Sequence, residues 1–445
     1  MDVLKKKFTV LLIASILLLN ACSSDNKKIE VKSINYFQTI DLVTNVMVHD
    51  IFSPPVASRI YAYPNIAAYE IIAQNSTIYK TLVGQLPEFD PIPKCNDDKV
   101  NLGVSALVAH ITLSAEMVFS KETLYQYRDS LYNVWKKINE EEFIVSKKYG
   151  EEVAQHVNKW IQKDNYGKTR TMPKYYLDKN DPSRWQPTPP IYMNGIEPHW
   201  REIRTLILDS ASQFRPLPPP KFSLEKDSEF YKELLEVYDI GEKITISGDK
   251  SNELEIARFW DCNPFVSVTR GHLMFAVKKI SPGAHWIGIT KIACVKKDFN
   301  LEKSINAFTI TSIGIFDAFI SCWDEKYRSN LVRPETLINL YLDDKWRPIL
   351  QTPPFPEYTS GHSVVSGCAS TILTSIFGND FDFLDDTEIE YGLPIRTFHS
   401  FEQAANEAAI SRLYGGIHYR SAIEEGLKQG RNIGEHINYK LSMFK

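Results

Sequence analysis

Apolar residues recur at three- and four-residue spacing along most of this chain. The pattern runs over residues 40–51, 57–73, 102–135 and 143–161, and again over 281–299, 305–323, 360–377, 401–413 and 419–441. Such spacing lays one apolar stripe along an α-helix. Convincing alternation of apolar and polar residues, the mark of a half-buried strand, is absent. The expected fold class is therefore all-α, a helical bundle. Between Tyr166 and Pro220 the periodicity stops. There Pro187, Pro189, Pro190, Pro198, Pro216, Pro218, Pro219 and Pro220 make a long, stiff loop region. It either links two helical halves or wraps one of them and shapes a pocket mouth. The flanking helices are too apolar to stand alone, which favours wrapping.

The start of the chain reads as an address. Lys5, Lys6 and Lys7 precede a short apolar run over 8–19, and Leu19-Asn20-Ala21-Cys22 follows. That run is too short to span a bilayer as a stable helix, and a small residue before Cys is the lipobox pattern of bacterial lipoproteins. The expected product is an exported lipoprotein anchored at Cys22 in the cell envelope, with Ser23 pointing to the outer membrane. The organisation that follows is a signal peptide over 1–21 and a lipidated tether over 22–35. An N-terminal helical scaffold with the proline-rich segment covers 36–220. A C-terminal pocket domain, 221–445, packs with it as one unit. The chain is 43% hydrophobic over 445 residues, enough for such a core.

Charge and cysteine usage narrow the function. The formal net charge is −4, and the leader carries Asp2 and three lysines, so the processed chain stands at −6. No basic block follows the leader, and a nucleic-acid backbone needs one; nucleic acid is not an expected partner. Cys95, Cys262, Cys294, Cys322 and Cys368 are scattered singly without a CxxC pair. They read as small buried hydrophobes rather than a zinc motif or disulfide framework, with one bridge left open in an oxidising compartment.

Three segments in the last third concentrate groups suited to one task. Lys326 and Arg333 stand seven apart, and Pro334 fits the first turn of a new helix, so both cations lie near a helix junction. Next, the rigid stretch Pro353-Pro354-Phe355-Pro356 leads through Glu357, Tyr358 and Thr359 to Ser360, a good N-cap. A helix N-terminus offers free N–H groups and positive dipole to an anion. Gly361 lets an anion approach the backbone, and His362 in the first turn is placed to exchange a proton there. Third, Ser400 and Gln403 form a capping box for a helix that carries Ser411 and Arg412 and breaks at Gly415-Gly416 before His418. Three permanent cations converging in an apolar interior are costly unless an anion neutralises them. A tetrahedral oxyanion is the natural counterpart, because arginine forks match its oxygens.

The spacing Lys-six residues-Arg-Pro, then Ser-Gly-His, then Ser-Arg-five residues-His resembles that of the vanadium-dependent haloperoxidases and the type 2 phosphatidic-acid phosphatases that share their pocket. All three motifs match, at Lys326 to Pro334, Ser360 to His362 and Ser411 to His418. The resemblance implies a haloperoxidase-like bundle with its active site in the C-terminal half. His418 is then the axial vanadium ligand. Lys326, Arg333 and Arg412 hold the equatorial oxygens, with Ser360 and the Gly361 N–H adding hydrogen bonds. His362 is the acid/base, and Lys326 also polarises bound peroxide. The implied cofactor is vanadate, with phosphate as competitor or substitute. The implied reaction oxidises iodide or bromide with hydrogen peroxide to hypohalous acid, and a small organic acceptor is a candidate third partner. Trp323 and Phe355 match aromatic residues on the halide side of the pocket in the chloroperoxidase-like members. One position departs from the pattern. Phosphatases and several peroxidases carry Asp four residues after the motif histidine, where this chain has Ala422. Glu424, Glu425 or a backbone carbonyl are the candidates to orient His418 instead. That loss weighs against the alternative, an acid phosphatase working through a phosphohistidine at His418.

Overall fold

The computed structural model describes residues 27–178, 180–270, 273–276 and 279–445, so the leader and Cys22 lie outside the described residues. The described part is helical with little strand, and one hydrophobic core runs from Ile29 to Met443. The elements are α1 (Ser33–His49), α2 (Pro54–Ala73), α3 (Leu102–Met117), α4 (Glu122–Ile138), α5 (Glu140–Ile161) and a single turn α6 (Tyr166–Thr169). There follow α7 (Glu229–Ser247), α8 (Asn252–Phe259), α9 (Pro282–Lys296), α10 (Leu301–Ser329), α11 (Pro334–Tyr341), α12 (Gly361–Phe377), α13 (Phe401–Tyr414) and α14 (Arg420–Lys440). Two small antiparallel hairpins complete it, β1 (Ser267–Arg270) with β2 (Leu273–Ala276) and β3 (Phe383–Asp385) with β4 (Arg396–Phe398).

Helix α10 is the axis. It is long and apolar enough to cross a membrane, yet the apolar window is wholly buried inside the protein, so it is a core helix. Among the N-terminal helices α2 packs on it most extensively, with α3 packed in turn on α2, and from the C-terminal half α12 packs on it. Helices α12 and α14 approach backbone to backbone. A Cβ on Gly430 would lie 2.0 Å from the Val364 carbonyl oxygen, and one on Gly367 would lie 2.6 Å from that of Leu427. Glycine is therefore obligatory at this crossing, which fixes the helix bearing His362 against the helix that begins after His418.

Three sequence expectations change. The single helix expected over 102–135 breaks after Met117, because the Phe119 and Ser120 amides turn to the Asp50 carboxylate, both at 2.9 Å. The expected tether is shorter than 22–35. Ile29 is buried and donates its N–H to Glu142 at 2.9 Å, and α1 already starts at Ser33. Helices α7 and α8 lie where no apolar periodicity was expected, their buried stripes being interrupted by charged residues. Each nevertheless starts on a serine cap, Ser228 accepting from Tyr231 and Ser251 from Leu254. All five described cysteines are free thiols, so no bridge forms among them.

The proline-rich segment wraps, as the apolarity of its neighbours suggested. Its backbone is stitched to the C-terminal helices along its length: Trp185 to Asn330, Val332 to Ser183, and Ile196 to Pro354, each near 3.0 Å. Further on, the Leu206, Ile207 and Leu208 amides all donate to the buried Asp317 of α10, at 2.8, 2.7 and 3.0 Å. Burial pushes the Asp317 carboxyl up to about 6, and the three amides pull the other way. Replacing Asp317 by Ala would strand three buried donors at about 1 to 3 kcal/mol each. The expected outcome for Asp317→Ala is a loss of at least about 3 kcal/mol in urea unfolding. A loss below about 1 kcal/mol would show that water replaces the carboxylate and that the segment is held elsewhere.

Candidate active site

The three motifs meet at one buried place. Lys326 comes from the last turn of α10, Arg333 is the N-cap of α11, Ser360 caps α12, Arg412 lies at the end of α13, and His418 stands just before α14. All five are at most 2% exposed. His362 lies in the first turn of α12 and borders a small cavity of about 30 Å³, with Gly361, Arg412, His418, Trp323 and Phe355.

His418 is oriented from both sides. Its Nδ1 donates to Glu357 Oε1 at 2.7 Å, so Nε2 carries the lone pair, which accepts from Arg333 Nη1 at 3.1 Å. Glu357 is the residue the motifs did not reveal. Its carboxylate also accepts from the Tyr419 amide at 3.0 Å. It takes the place that Ala422 leaves vacant, and Glu424 and Glu425 do not: Glu424 pairs with Arg420, and Glu425 accepts from the Leu217 amide. A carboxylate inside a proline-braced turn five residues before the motif histidine was the available signal. Ala422 serves the site through its backbone, its carbonyl accepting the Ser360 N–H at 3.0 Å.

Arg333 spreads its fork over three partners: Phe355 O at 3.0 Å, Ile417 O at 2.8 Å and the His418 ring. Its Nη2 is buried with no partner among the described residues. Arg412 donates to Ser411 Oγ at 3.0 Å and lies 3.4 Å from His362 Nε2. Lys326 differs from the expectation. Its ammonium places its donors on the carbonyls of Pro356, Glu357 and Thr359, at 3.1, 3.0 and 2.5 Å. It thus clamps the turn that carries Glu357, behind the cavity wall. The Ser360 hydroxyl accepts from the Ser363 amide at 3.3 Å, and its own hydrogen stays available as a donor. A Cβ at Gly361 would find its nearest atoms at 3.6 Å on Trp323 and 4.0 Å on Lys326. Packing alone would admit alanine; the glycine leaves room in the cavity. Trp323 and Phe355 do form one wall, with ring centroids 5.0 Å apart.

The electrostatics are those of a site short of negative charge. Burial brings Lys326 down to about 8 and Arg333 down to about 10. Burial pushes Glu357 up to about 8, against the pull of Arg333 and Lys326. Burial and then Arg333 hold His418 well below its ordinary value. Burial, then Arg412 and His285, drive His362 well below its ordinary value. The residues can therefore offer a neutral imidazole nitrogen, two arginine forks, a hydroxyl and helix N–H groups to one tetrahedral oxyanion.

Residues 306–444 match the family model of the VCPO second helical-bundle domain. A solved bacterial vanadium-dependent iodoperoxidase is 58% identical, with TM-score 0.91, covering 94% of this chain and 99% of its own. The chain belongs to the vanadium-dependent haloperoxidases. Holo and apo crystal structures of a bacterial vanadium-dependent chloroperoxidase share the haloperoxidase fold at 17% identity and TM-score 0.66. They cover 88% and 87% of this chain, and 93% and 94% of their own. No curated protein matches.

The charge set of this haloperoxidase predicts how pH acts on anion binding. Raising pH through about 8 removes the positive charge of Lys326 and adds a negative one at Glu357. Both changes disfavour an anion, so affinity is present below that pH and lost above it. Sulfate keeps one charge state throughout, which makes it the clean probe. Calorimetric titration is expected to show at least a tenfold loss of sulfate affinity between about pH 7 and about pH 9. A flat profile would remove these two groups from the anion site.

Proposed function

We propose that this haloperoxidase oxidises iodide, with bromide as the second halide, using hydrogen peroxide and bound vanadate to give hypohalous acid. The observation that carries the reading is the half-used, fully buried donor set around His418 Nε2, above all the unpaired Arg333 Nη2. The residues fit vanadate. His418, fixed in its tautomer by Glu357, would be the nitrogen ligand. Arg333, Arg412, Ser360 and the Gly361 N–H would hold oxygens, with Lys326 bracing the turn behind them. Vanadate bound there supplies Lewis-acid activation of hydrogen peroxide towards halide without a change of redox state. His362 Nε2, kept neutral by burial and Arg412, is the base that can take the proton peroxide gives up. The Trp323–Phe355 wall would keep water from the halide side. The 58% identity to an iodoperoxidase supports iodide.

The Glu357 contact also changes the weight of the phosphatase alternative. A carboxylate on His418 would serve a histidine nucleophile as well as a ligand. Ala422 therefore no longer argues against phosphate chemistry. The family likeness and the aromatic wall carry that decision, with phosphate as a competitor for the site.

Purified protein is expected to oxidise iodide only when orthovanadate is supplied and to lose turnover as phosphate outcompetes it. Hydrolysis of a phosphate monoester without iodide oxidation would transfer the assignment to the phosphatase branch. In Glu357→Gln, vanadate affinity is expected to fall about 10- to 100-fold; unchanged affinity would remove Glu357 from the site.

Export as a lipoprotein, with Cys22 as anchor and the outer membrane as destination, rests on Lys5 to Lys7, the apolar run and Ala21-Cys22. Cys22→Ala is expected to move the protein from the membrane fraction to the soluble fraction.

A further inference from the structure

A second cluster of reactive groups lies beside the active-site cavity, and the haloperoxidase chemistry makes no use of it. Cys262 follows α8 and lines the cavity, His285 sits in the first turn of α9, and Asp385, Thr387 and Glu388 come from the segment at the end of β3. Of these, Cys262, His285, Asp385 and Glu388 are at most 3% exposed. His285 Nδ1 lies 3.3 Å from Glu388 Oε1 and 3.4 Å from Cys262 Sγ, and that sulfur lies 3.8 Å from Glu388 Oε1.

Those three separations are the edges of a metal tetrahedron. Zinc bonds of about 2.0 Å to N or O and about 2.3 Å to S, at tetrahedral angles, put N and O about 3.3 Å apart. The same bonds put S about 3.5 Å from N or O. The far side of the imidazole is also in order. Nε2 lies 2.8 Å from Asp385 Oδ2 and 2.8 Å from Thr387 Oγ1, and the Thr387 hydroxyl donates to Asp385 Oδ1 at 2.6 Å. With its proton held there, the ring turns the Nδ1 lone pair towards Cys262 and Glu388, the carboxylate–histidine–metal arrangement of metalloproteins.

We propose that Cys262, His285 and Glu388 bind a divalent, thiolate-tolerant metal ion of the zinc class, with Asp385 orienting the histidine. Charge favours the exchange. A protonated histidine and thiol between two carboxylates leave the cluster one negative charge. A divalent cation with neutral imidazole and thiolate leaves the same. The cation replaces two protons with no change in buried charge. Three protein ligands leave a fourth position to water from the cavity that Cys262 lines. The ion would pin the chain after α8 to α9 and to the segment after β3. Trp260 in that chain stacks on His285 at 4.4 Å, and its backbone takes a hydrogen bond from His362. The metal is thus a positioning device for the acid/base histidine. No local motif announces it, since 126 residues separate Cys262 from Glu388.

Metal analysis and cobalt(II) spectroscopy on the intact protein test this, whatever halide it turns over. Protein purified without chelator is expected to hold close to one zinc per chain. The cobalt(II) form is expected to show the strong visible bands of tetrahedral cobalt and a sulfur-to-cobalt charge-transfer band in the near ultraviolet. Cys262→Ser should abolish the charge-transfer band. Asp385→Asn should retain it while weakening cobalt affinity about 10- to 100-fold. Should Cys262→Ser fail to fold, Glu388→Gln serves, with an expected loss of at least tenfold in affinity. Failure to load zinc or cobalt, a charge-transfer band unchanged by Cys262→Ser, or unchanged affinity in Glu388→Gln would each overturn the proposal.

Discussion

Glu357 ties together all three motifs of the active site. Its amide donates to the Leu331 carbonyl, in the turn that follows Lys326 and leads to Arg333. Its own carbonyl accepts from the Lys326 ammonium. Its carboxylate takes the His418 Nδ1–H and the Tyr419 amide. A single buried residue therefore fixes the distance between the cation segment, the start of α12 and His418. Burial alone makes its charge expensive, and two cations and two donors are what offset that cost. Cutting any one of these bonds strains the others, so orientation and charge balance are not separable here.

The surrounding fold supplies stiffness to that arrangement. Glycines 367 and 430 let α12 and α14 meet at backbone distance, which sets the start of α12 against the Ala422 carbonyl. Helix α7 braces the other end, where Glu233 accepts the Ser421 amide and Glu236 holds Arg420. The proline-rich segment closes the aromatic wall, because the Ile196 carbonyl accepts from both Trp323 Nε1 at 3.1 Å and the Tyr327 hydroxyl at 2.6 Å. Pre-set φ angles in such a segment reduce the entropy lost on ordering it. A flexible loop of the same length would hold the wall less firmly.

The helical class and the seven motif residues were legible because each rests on local signals. Apolar spacing marks a helix, Ser360 marks a helix start, and a seven-residue step brings Lys326 and Arg333 to one junction. Glu357 was not legible as the partner of His418, because 61 residues separate them and its proline-braced turn marks a buried carboxylate without saying which group it meets. The rule of a carboxylate four residues on directed attention to the helix after His418. In this chain the orienting group arrives from a loop in another motif. The break after Met117 was hidden for the same reason, since the acceptor of the turning amides is Asp50, far back in the chain. Polar partners distant in sequence are invisible to periodicity; they appear only when the core has assembled.

The aromatic wall and the buried cations are not independent parts. The Phe355 carbonyl accepts from Arg333 Nε, while its ring lies 5.2 Å from the Arg333 guanidinium carbon and 5.0 Å from the Lys326 ammonium. The ring face thus stabilises the two cations whose burial is otherwise costly, and the same ring packs against Trp323. A change from phenylalanine to a protonatable ring would add a positive charge beside two others and lower their stability as cations. A change at this wall is accordingly bound to the charge of those two cations. Any substitution that retunes one must compensate the other, and the Trp323–Phe355 pair constrains both through one contact.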